Sequence, residues 1–417
     1  MKIAIIGSGI SGLTAAHILC RDHEVSVFEK DSRLGGHTAT IDVNYKGESL
    51  AIDTGFIVYN ERTYPNFIRL LDKLNVKAQK TLMGFSVFNP KTGLEYAGNS
   101  INAMFAQRKN IFSLSFWMML KDIVRFNKES VRDLDAGLIK DDMTLGEYLD
   151  QNAYSKSFCR NYLVPMGAAI WSASFESMKN FPVTFFVRFF HNHGLLTILD
   201  HPQWYVIKGG SRSYIDPLIQ GFKNNIHLNS RIDGVLRTDD ASIQINFADG
   251  SHEKFDQVIF ATHSDQALKL LSDASKEERE ILGAIKYKDN DVVLHTDVSL
   301  LPKKKITWSS WNYLLDNDDC ALPILTYNMN ILQSLDSQYE YNVTLNANDR
   351  INPDSIIEKF VYAHPQFSIP AMKAQGRWAE INGVNNTWFC GAYWANGFHE
   401  DGVASALKIT EKFGLDL

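Results

Sequence analysis

The start of the chain constrains the fold more than any other stretch. Residues 2–6 (KIAII) form a short apolar run, residues 13–20 (LTAAHILC) have the composition of a helix, and residues 25–28 form a second apolar run before Glu29. The turn between the first run and the helix contains three glycines in a GxGxxG pattern, Gly7, Gly9 and Gly12. A strand, a glycine turn, a helix, a second strand and an acidic residue are the parts of a Rossmann dinucleotide-binding unit. The alternative is a glycine-rich turn in an ordinary α/β domain.

Each part of this motif has a physical reason. Gly7 permits a tight turn, Gly9 lets the backbone approach a pyrophosphate, and Gly12 lets the helix pack closely on the strand. The carboxylate of Glu29 would accept hydrogen bonds from ribose hydroxyls. Free amides at the helix start would face the phosphates, where the helix dipole favours negative charge. The residues at this helix start that we assign to the dinucleotide are Ile10 and Ser11.

The stretch after Glu29 narrows the choice of dinucleotide. Residues 30–38 (KDSRLGGHT) and 53–56 (DTGF) resemble the flavin-dependent amine oxidase and phytoene desaturase superfamily, where an acid-x(3)-Arg-x-Gly-Gly run follows the Rossmann unit. The resemblance implies FAD rather than NAD, with the arginine on phosphate or ribose and the paired glycines near the flavin. It assigns to FAD the residues Lys30, Arg33, Gly35, Gly36, His37, Thr38, Thr54 and Gly55. A covalent link between His37 and the flavin is one alternative.

Two later stretches extend the same resemblance. Residues 256–263 (DQVIFATH) match the superfamily's D-x-V-I-x-A-T strand, and a valine in the preceding strands often places its backbone on the adenine. Residues 387–391 form a strand that ends in glycine, and residues 398–406 open a final helix whose N-terminus, in the superfamily, faces the N1–C2=O edge of the flavin. A helix N-terminus there would stabilise the negative charge of reduced flavin. These stretches add to the cofactor site Val235, Ala261, Thr262, Gly391, Gly402 and Val403.

The fold class that follows is α/β, with a Rossmann-type FAD-binding domain and an interleaved α+β substrate domain, as in amine oxidases. The predicted FAD-binding domain is discontinuous and comprises residues 1–80, 206–280 and 376–417. The predicted substrate domain comprises residues 81–205, which read as mostly helical, and residues 281–375, which contain alternating strand patterns.

Composition excludes several other classes. Of the 417 residues, 45% are hydrophobic, and the formal net charge of −6 argues against a nucleic-acid partner. The four cysteines are scattered without a CxxC pair, so we expect neither a disulfide framework nor a metal site. The chain opens on a core strand rather than a signal peptide, and no stretch reaches the ~18 apolar residues of a membrane span. We therefore expect a cytoplasmic protein, while nothing in the pattern predicts an oligomeric state.

One basic cluster points to a surface partner. Lys303, Lys304 and Lys305 lie close in sequence to Trp308 and Trp311. Lysines beside aromatic residues are typical of contact with an anionic membrane surface, and we include peripheral membrane contact as an expectation. The alternative is a solvated turn.

Four residues are candidates for catalysis. His399 and Glu400, at the start of the final helix, are candidates for the proton acceptor, although an acidic residue there also caps a helix. Phe398 stands near the position of a tyrosine in the aromatic cage of amine oxidases, with core packing as the alternative. Lys286 lies where amine oxidases carry a lysine that holds a water near flavin N5, with a solvated loop as the alternative.

Three functional hypotheses follow. The motifs GGHT, DTGF, YNMN and GFHEDG resemble a bacterial branch of the superfamily described as predicted NAD/FAD-binding proteins, which is associated with cyclopropane and methyl-branched fatty-acid enzymes. With the aromatic residues of 103–126 and 181–190, which suggest a long apolar tunnel, this favours an FAD-dependent oxidoreductase that abstracts hydride from a lipid-derived substrate and desaturates it. The second hypothesis is a flavin amine oxidase that releases peroxide. The third is a flavin-binding partner of a lipid-modifying enzyme without turnover of its own.

Overall fold

The computed structural model describes residues 1–197, 200–315 and 319–417, so five residues of the predicted substrate segments lie outside the described residues. The described strands are β1 (Lys2–Ile6), β2 (Glu24–Phe28), β3 (Thr40–Tyr45), β4 (Glu48–Asp53), β5 (Tyr59–Asn60), β6 (Ala78–Thr81), β7 (Phe85–Asn89), β8 (Leu94–Ala97), β9 (Trp204–Ile207), β10 (Ile226–His227), β11 (Ile232–Arg237), β12 (Ile243–Phe247), β13 (His252–Phe255), β14 (Gln257–Phe260), β15 (Lys286–His295), β16 (Trp311–Leu314), β17 (Ile324–Asn328), β18 (Asn342–Leu345), β19 (Ile356–Gln366) and β20 (Thr387–Phe389).

The described α-helices are α1 (Ile10–Leu19), α2 (Pro65–Lys73), α3 (Ile101–Met104), α4 (Leu114–Asp135), α5 (Leu145–Gln151), α6 (Lys156–Phe158), α7 (Val164–Trp171), α8 (Phe175–Lys179), α9 (Val183–Asn192), α10 (Ile215–Ile219), α11 (Ser264–Leu270), α12 (Lys276–Ala284), α13 (Met329–Leu332), α14 (Ile369–Gly376), α15 (Trp378–Ile381) and α16 (His399–Thr410). Short 3₁₀ turns join several of them, including the turn Lys305–Thr307.

A five-stranded sheet organises the predicted FAD-binding segments. Its order is β10-β2-β1-β14-β20, and all its neighbouring strands run parallel. Parallel strands covered on both faces are apolar, as the buried residues 3–6 are. Helix α1 crosses from β1 to β2 and packs against the last helix, α16. This arrangement confirms the Rossmann-type part of the predicted fold.

A seven-stranded sheet joins the two predicted substrate segments. Its order is β19-β15-β18-β17-β16-β7-β8, so the hairpin β7–β8 extends strands that come about 200 residues later. Strand β7 runs parallel to β16, and the other neighbours are antiparallel. Helices α4 to α9 bury a core of large aromatic side chains beside this sheet. Mixed α and β structure is therefore found in this part, as predicted.

Local structure in the substrate segments adds detail to the prediction. A turn at residues 89–93 joins β7 and β8 into a hairpin, and Thr144 caps α5 with a hydroxyl that accepts from the Glu147 amide at 3.2 Å. Lys286, assigned to a loop in one alternative, instead begins β15. Strand β19, eleven residues long, was not predicted. It lies at the sheet edge, where polar residues and Pro365 are tolerated, so its sequence lacks a clear alternation.

Within the described ranges, no helix is both long and apolar enough to cross a membrane.

Candidate active site

One cavity of about 1850 Å³ runs between the two sheets. Its nucleotide half is lined by residues within the stretches 6–11, 28–36, 230–233 and 261–270. Its substrate half is lined by residues within 81–124, 162–172, 189–204 and 311–327. Ligand pockets usually measure roughly 300–1,000 Å³, so this cavity has room for a dinucleotide and a second molecule.

Glycine occupies the three positions of the first turn for different reasons. Gly7 has a φ of 103°, and a Cβ there would lie 2.7 Å from the carbonyl oxygen of Ala261. A Cβ on Gly12 would lie 2.1 Å from the carbonyl oxygen of Gly7, so α1 needs this glycine to approach β1. Gly9 has a φ of −67°, and no described atom lies within 4 Å of the Cβ that it would carry. The packing of the protein does not require glycine at this position. The open space instead suits a close approach of the backbone to a ligand group such as a pyrophosphate.

The start of α1 is suited to an anion. Gly9 is its N-cap and offers no side chain to the first amides, and the first turn holds no acidic residue. The first amides of a helix have no partner within it, and the helix dipole adds positive charge there. Ile10 and Ser11 both line the cavity. This geometry fits the phosphates of a dinucleotide.

The second glycine motif is joined to the first. The amide of Gly35 donates to the carbonyl oxygen of Ser8 at 3.0 Å, and Gly9 and Gly35 form a parallel bridge. Arg33 donates to the carbonyl oxygen of Gly36 at 2.8 Å, so its guanidinium stiffens its own loop while it lines the cavity. Two motifs that are more than twenty residues apart in sequence therefore form one wall.

Glu29 lies at the position predicted for ribose recognition. Its carboxylate is buried and accepts from the amide of Ser8 at 3.0 Å and from its hydroxyl at 2.6 Å. The amide of Asp31 donates to its other oxygen at 3.0 Å. Lys30 lines the same part of the cavity and is exposed.

The part of the cavity predicted for the adenine lies at the end of β14. Ala261 and Thr262 line the cavity, as does the loop that leads into β11. Val235 does not line it, because this residue is fully buried within β11 and its carbonyl oxygen accepts from the amide of Ser272 at 2.9 Å. The structure brings Asp233, two residues earlier, to the cavity instead.

Two threonines predicted to bind FAD lie behind the residues that line the cavity. Thr38 forms a short hydrogen bond with the hydroxyl of Tyr214, and its hydroxyl lies 3.1 Å from Nε2 of His399. Thr54 contacts the hydroxyl of Tyr362 at 3.0 Å. Both position residues that do line the cavity, and neither lines it itself.

The C-terminal elements close the site. Gly391 lines the cavity, and a Cβ there would lie 2.4 Å from the ring of Tyr393. A Cβ on Gly402 would lie 2.7 Å from the side chain of Ile10, so this glycine lets α16 cross α1 closely. Val403 is fully buried in the core between these helices. Gly402 and Val403 thus shape the site without lining it.

The two predicted proton acceptors occupy different positions. The ring of His399 stacks on Phe56 at 3.6 Å, and burial, together with nearby His37, holds the pKa of His399 well below its ordinary value. Glu400 lies outside the main cavity and accepts from the amides of Asn66 at 3.2 Å and Phe67 at 2.9 Å, in the first turn of α2. The position of Glu400 is that of a helix cap.

The other two catalytic candidates, Lys286 and Phe398, differ in their relation to the cavity. Side chains alternate along β15, so Tyr287 and Asp289 line the cavity while Lys286 is exposed outside it. Phe398 lines the cavity and stacks on Phe189 at 5.2 Å. Among the described residues that line the cavity, every lysine and arginine lies in the nucleotide half.

The substrate half is lined mainly by apolar side chains, with polar residues such as His193, His201 and Gln203 within residues 189–204. Its large apolar lining residues include Leu82, Met83, Phe85, Met104, Leu120, Ile123, Val124, Tyr162, Met166, Ile170, Trp171, Phe189 and Leu195. The other aromatic residues of the helical segment, such as Phe126 and Phe186, form the core instead. The aromatic excess in the sequence therefore has two uses, a packed core and a cavity wall.

The sequence profile of flavin containing amine oxidoreductases matches residues 10–301, more than half of the chain. The chain belongs to this family. No curated protein sequence matches it. The protein is accordingly a flavin oxidoreductase with FAD as its cofactor.

Solved structures show the same fold at low identity. A CLA-producing fatty acid isomerase from P. acnes is 16% identical with a TM-score of 0.69, over 99% of this chain and 98% of that one. Cyclohexylamine oxidase from Brevibacterium oxydans IH-35A is 14% identical with a TM-score of 0.66, over 99% of both chains. Putrescine oxidase bound to putrescine is 14% identical with a TM-score of 0.67, also over 99% of both chains. At these identities the likeness establishes the fold alone.

The residues of this flavin oxidoreductase fit FAD in its nucleotide half. The open space around Gly9 and the start of α1, which has no side-chain cap, suit a pyrophosphate. The fixed carboxylate of Glu29 suits a ribose. When bound, FAD supplies the hydride acceptor of the reaction.

A ring cluster that no sequence pattern predicts lies where the two halves meet. We call it the aromatic junction, and its members are His37, His263, Tyr287, Tyr362 and His364. The ring of His37 lies 6.4 Å from His263, 5.1 Å from Tyr362 and 5.6 Å from His364. His263 stacks on Tyr287 at 4.3 Å. These residues come from four distant stretches, and no spacing in the sequence joins them.

The junction histidines are neutral at physiological pH. Burial, with a contribution from neighbouring His263, lowers the pKa of His37 to about 4. Burial and the nearby His364 lower the pKa of His263 to about 4, and burial and His37 lower that of His364 to about 3. The Nε2 atom of His37 is buried without a hydrogen-bond partner among the described residues. A neutral imidazole offers one nitrogen that can accept a proton.

The DTGF turn positions His37. A Cβ on Gly55 would lie 2.2 Å from the carbonyl oxygen of His37, and the amide of Phe56 donates to that oxygen at 2.7 Å. On the other side, Nδ1 of His364 lies 2.9 Å from the hydroxyl of Ser172, which has a positive φ of 51°. Strained backbone is tolerated where the surrounding structure fixes it, as at functional sites.

Proposed function

We propose that the protein uses FAD to dehydrogenate a long hydrophobic substrate, such as an acyl chain. The observation that carries the proposal is the apolar substrate half of the cavity. Its wall of apolar side chains suits a chain of methylene groups, and the described lining residues bring no lysine or arginine into it. An apolar chain gains roughly 0.8 kcal/mol for each CH₂ group that it buries.

The chain's own residues supply orientation and a proton acceptor. Desaturation removes a hydride and a proton from adjacent carbons, so a base must lie where the substrate meets the flavin. His37 is at the centre of the aromatic junction and has an unpartnered buried nitrogen. We assign the proton to His37, with Tyr362 and His364 restricting the space beside it.

Anaerobic flavin reduction tests this proposal. Purified holoenzyme would be mixed with detergent-dispersed acyl lipids, with the alkyl chain length varied, and in parallel with a panel of amines. We expect the oxidised flavin band to bleach with the lipids and the rate to rise with chain length. Rapid bleaching by amines without a response to lipids would reject the proposal. A flavin that no donor reduces would favour a non-catalytic flavin-binding protein.

Amine oxidation is a second candidate because two carboxylates, Glu61 and Asp289, line the cavity and would attract a cation. The exposed position of Lys286 does not support it, since this lysine does not reach the cavity. Peroxide release on the amine panel, with FAD bound and oxygen present, separates this candidate from the first.

A further inference from the structure

An unusual surface lies beside the substrate half of the cavity. Large apolar side chains on α3, the following 3₁₀ turn and the start of α4 point into solvent. Phe112 is 90% exposed, Ile101 is 83% exposed and Leu114 is 76% exposed. We call this surface the apolar platform, and its members are Ile101, Ile111, Phe112, Leu114, Trp117 and Met118. Isolated exposed apolar residues need no explanation, but a contiguous group of this size marks an interaction site.

The start of α4 is apolar on both faces, unlike a typical surface helix, which is apolar on its inward face only. Leu114, Trp117 and Met118 follow helical spacing and share the outward face. The inward face at the same level is also apolar, with Phe116 and Met119 buried. A helix that is apolar on both faces is stable when both faces are covered, so the outer face of this segment needs a covering partner.

The rim of the platform is strongly basic. Its exposed cations are Arg108, Lys109, Lys121, Lys303, Lys304 and Lys305. The 3₁₀ turn at 305–307 contacts α3, and the hydroxyl of Ser309 donates to the side chain of Asn99 at 2.7 Å, which brings the two segments together. Residues 101–121 contain no aspartate or glutamate, although the whole chain has a net charge of −6. Apolar side chains surrounded by cations complement an anionic lipid surface.

The cavity opens on this surface. Leu82 and Val124 line the substrate half and are exposed at the same time, at 76% and 41%. Met104 of α3 and Leu120 of α4 line it from the platform's own elements. The wall of the cavity and the platform are therefore continuous.

We propose that the apolar platform docks on an anionic lipid bilayer. Phe112, Leu114 and Ile101 enter the boundary between headgroups and acyl chains, and the ring of Trp117 lies at the headgroup level. The lysines at 303–305 bind lipid phosphates. Docking itself does not depend on the substrate, whereas entry of an acyl substrate from the bilayer into the cavity rests on the proposed function.

This assignment differs from the contact predicted from sequence. The indole of Trp308 donates to the carbonyl oxygen of Pro302 at 2.7 Å and is only partly exposed, and Trp311 lies in β16 and lines the cavity. The three lysines remain part of the proposed surface, but the apolar contribution comes from α3 and α4.

Vesicle flotation tests the proposal with FAD-loaded protein. We expect binding to vesicles of phosphatidylcholine mixed with phosphatidylglycerol, weak binding to phosphatidylcholine alone, and release by high salt, which screens exposed charges. The double variant Phe112→Ser/Leu114→Ser should reduce the bound fraction at least about tenfold, since two large apolar anchors are lost. Its matched control is Leu138→Ser/Val384→Ser, which removes two exposed apolar side chains elsewhere and should bind like the original protein.

Two double charge-reversal variants separate the effect of the basic rim from the effect of the net charge. Lys303→Glu/Lys304→Glu and the control Lys223→Glu/Lys412→Glu change the net charge equally, and all four lysines are exposed. Only the first should lose binding to anionic vesicles.

Several results would overturn docking: no binding by the original protein, equal binding to neutral vesicles, or equal losses in test and control variants. A dimer that Phe112→Ser/Leu114→Ser dissociates, without vesicle binding, would assign the platform to a second copy of the chain. Flavin bleaching by detergent-dispersed lipid is measured without vesicles, and the platform variants should retain it. Failure of docking is therefore distinguishable from failure of the proposed function.

Discussion

The two halves of the cavity are built in different ways. One wall of the nucleotide half is made largely of backbone, with glycines at positions 7, 9, 35 and 36 within about thirty residues of chain. The substrate half and the aromatic junction are made of side chains from many separated segments. A backbone site needs particular residues in a fixed order, whereas a side-chain site needs only that distant residues converge. The comparison predicts that substitutions in the two halves will fail in different ways.

The largest expected effect is at Gly9. A Cβ there meets no described protein atom within 4 Å, and a valine side chain would extend into the space that a pyrophosphate would use. We expect Gly9→Val to fold normally and to bind FAD at least about 100-fold more weakly, which corresponds to roughly 3 kcal/mol. Flavin content after purification and calorimetric titration with FAD measure this. Gly376→Val is the matched control, since Gly376 is exposed and also has open space around its would-be Cβ.

The variant Gly12→Val provides a contrast to Gly9→Val. Its side chain would collide with the carbonyl oxygen of Gly7 at 2.1 Å, so Gly12→Val should lose the fold rather than the cofactor alone. If Gly9→Val unfolds as Gly12→Val does, the distinction between a ligand glycine and a packing glycine is wrong.

The next effect is at the aromatic junction. His37→Gln keeps a polar side chain but removes the proton acceptor, so we expect kcat to fall about 100-fold, within the usual range for a general base. Flavin content should stay normal. His191→Gln, on the exposed end of α9, is the control and should change kcat less than about twofold.

The pH profile adds an independent readout for His37. The neutral form is the base, and its pKa lies at about 4, so activity should be level near neutral pH and fall as pH drops through about 4. His37→Gln should lose that acidic limb. An unchanged limb in the variant would assign it to another group.

The contrast between the halves also explains what could be predicted from the sequence. The meeting of Gly7, Gly9 and Glu29 at one cavity was predictable because the order of β1, the glycine turn and Glu29 is itself the motif. The resemblance assigned Val235 to the adenine, whereas Asp233, two residues earlier, lines the cavity, and the sequence does not show which residue of this strand reaches the cavity. Glu400 could be recognised as acidic, but only tertiary contacts show that it meets α2. The junction was not predictable, because His37 and His364 are joined only by folding.

A smaller effect is expected in the substrate half. Met166 of α7 lines the cavity wall and is partly buried, so Met166→Trp should shorten the space for an alkyl chain. We expect turnover of long acyl substrates to fall about tenfold, or about 1.4 kcal/mol, while short ones and flavin content change little. Met372→Trp, on α14 outside the cavity lining, is the control. Equal losses for short and long substrates would indicate a general packing defect instead.

The smallest expected effect is at Glu400, where a substitution distinguishes a helix-capping role from a catalytic role. Its carboxylate accepts from two amides and from the side chain of Asn66 at 2.7 Å, all at the start of α2. Glu400→Gln keeps one acceptor oxygen and loses the charge, so the free energy of unfolding should fall by about 1 kcal/mol, as for a weakened helix cap. Because the side chain lies outside the main cavity, kcat should stay within about twofold of the original value. A large fall in kcat with unchanged stability would return Glu400 to the catalytic set and remove His37 from its assigned role, since one proton needs one acceptor.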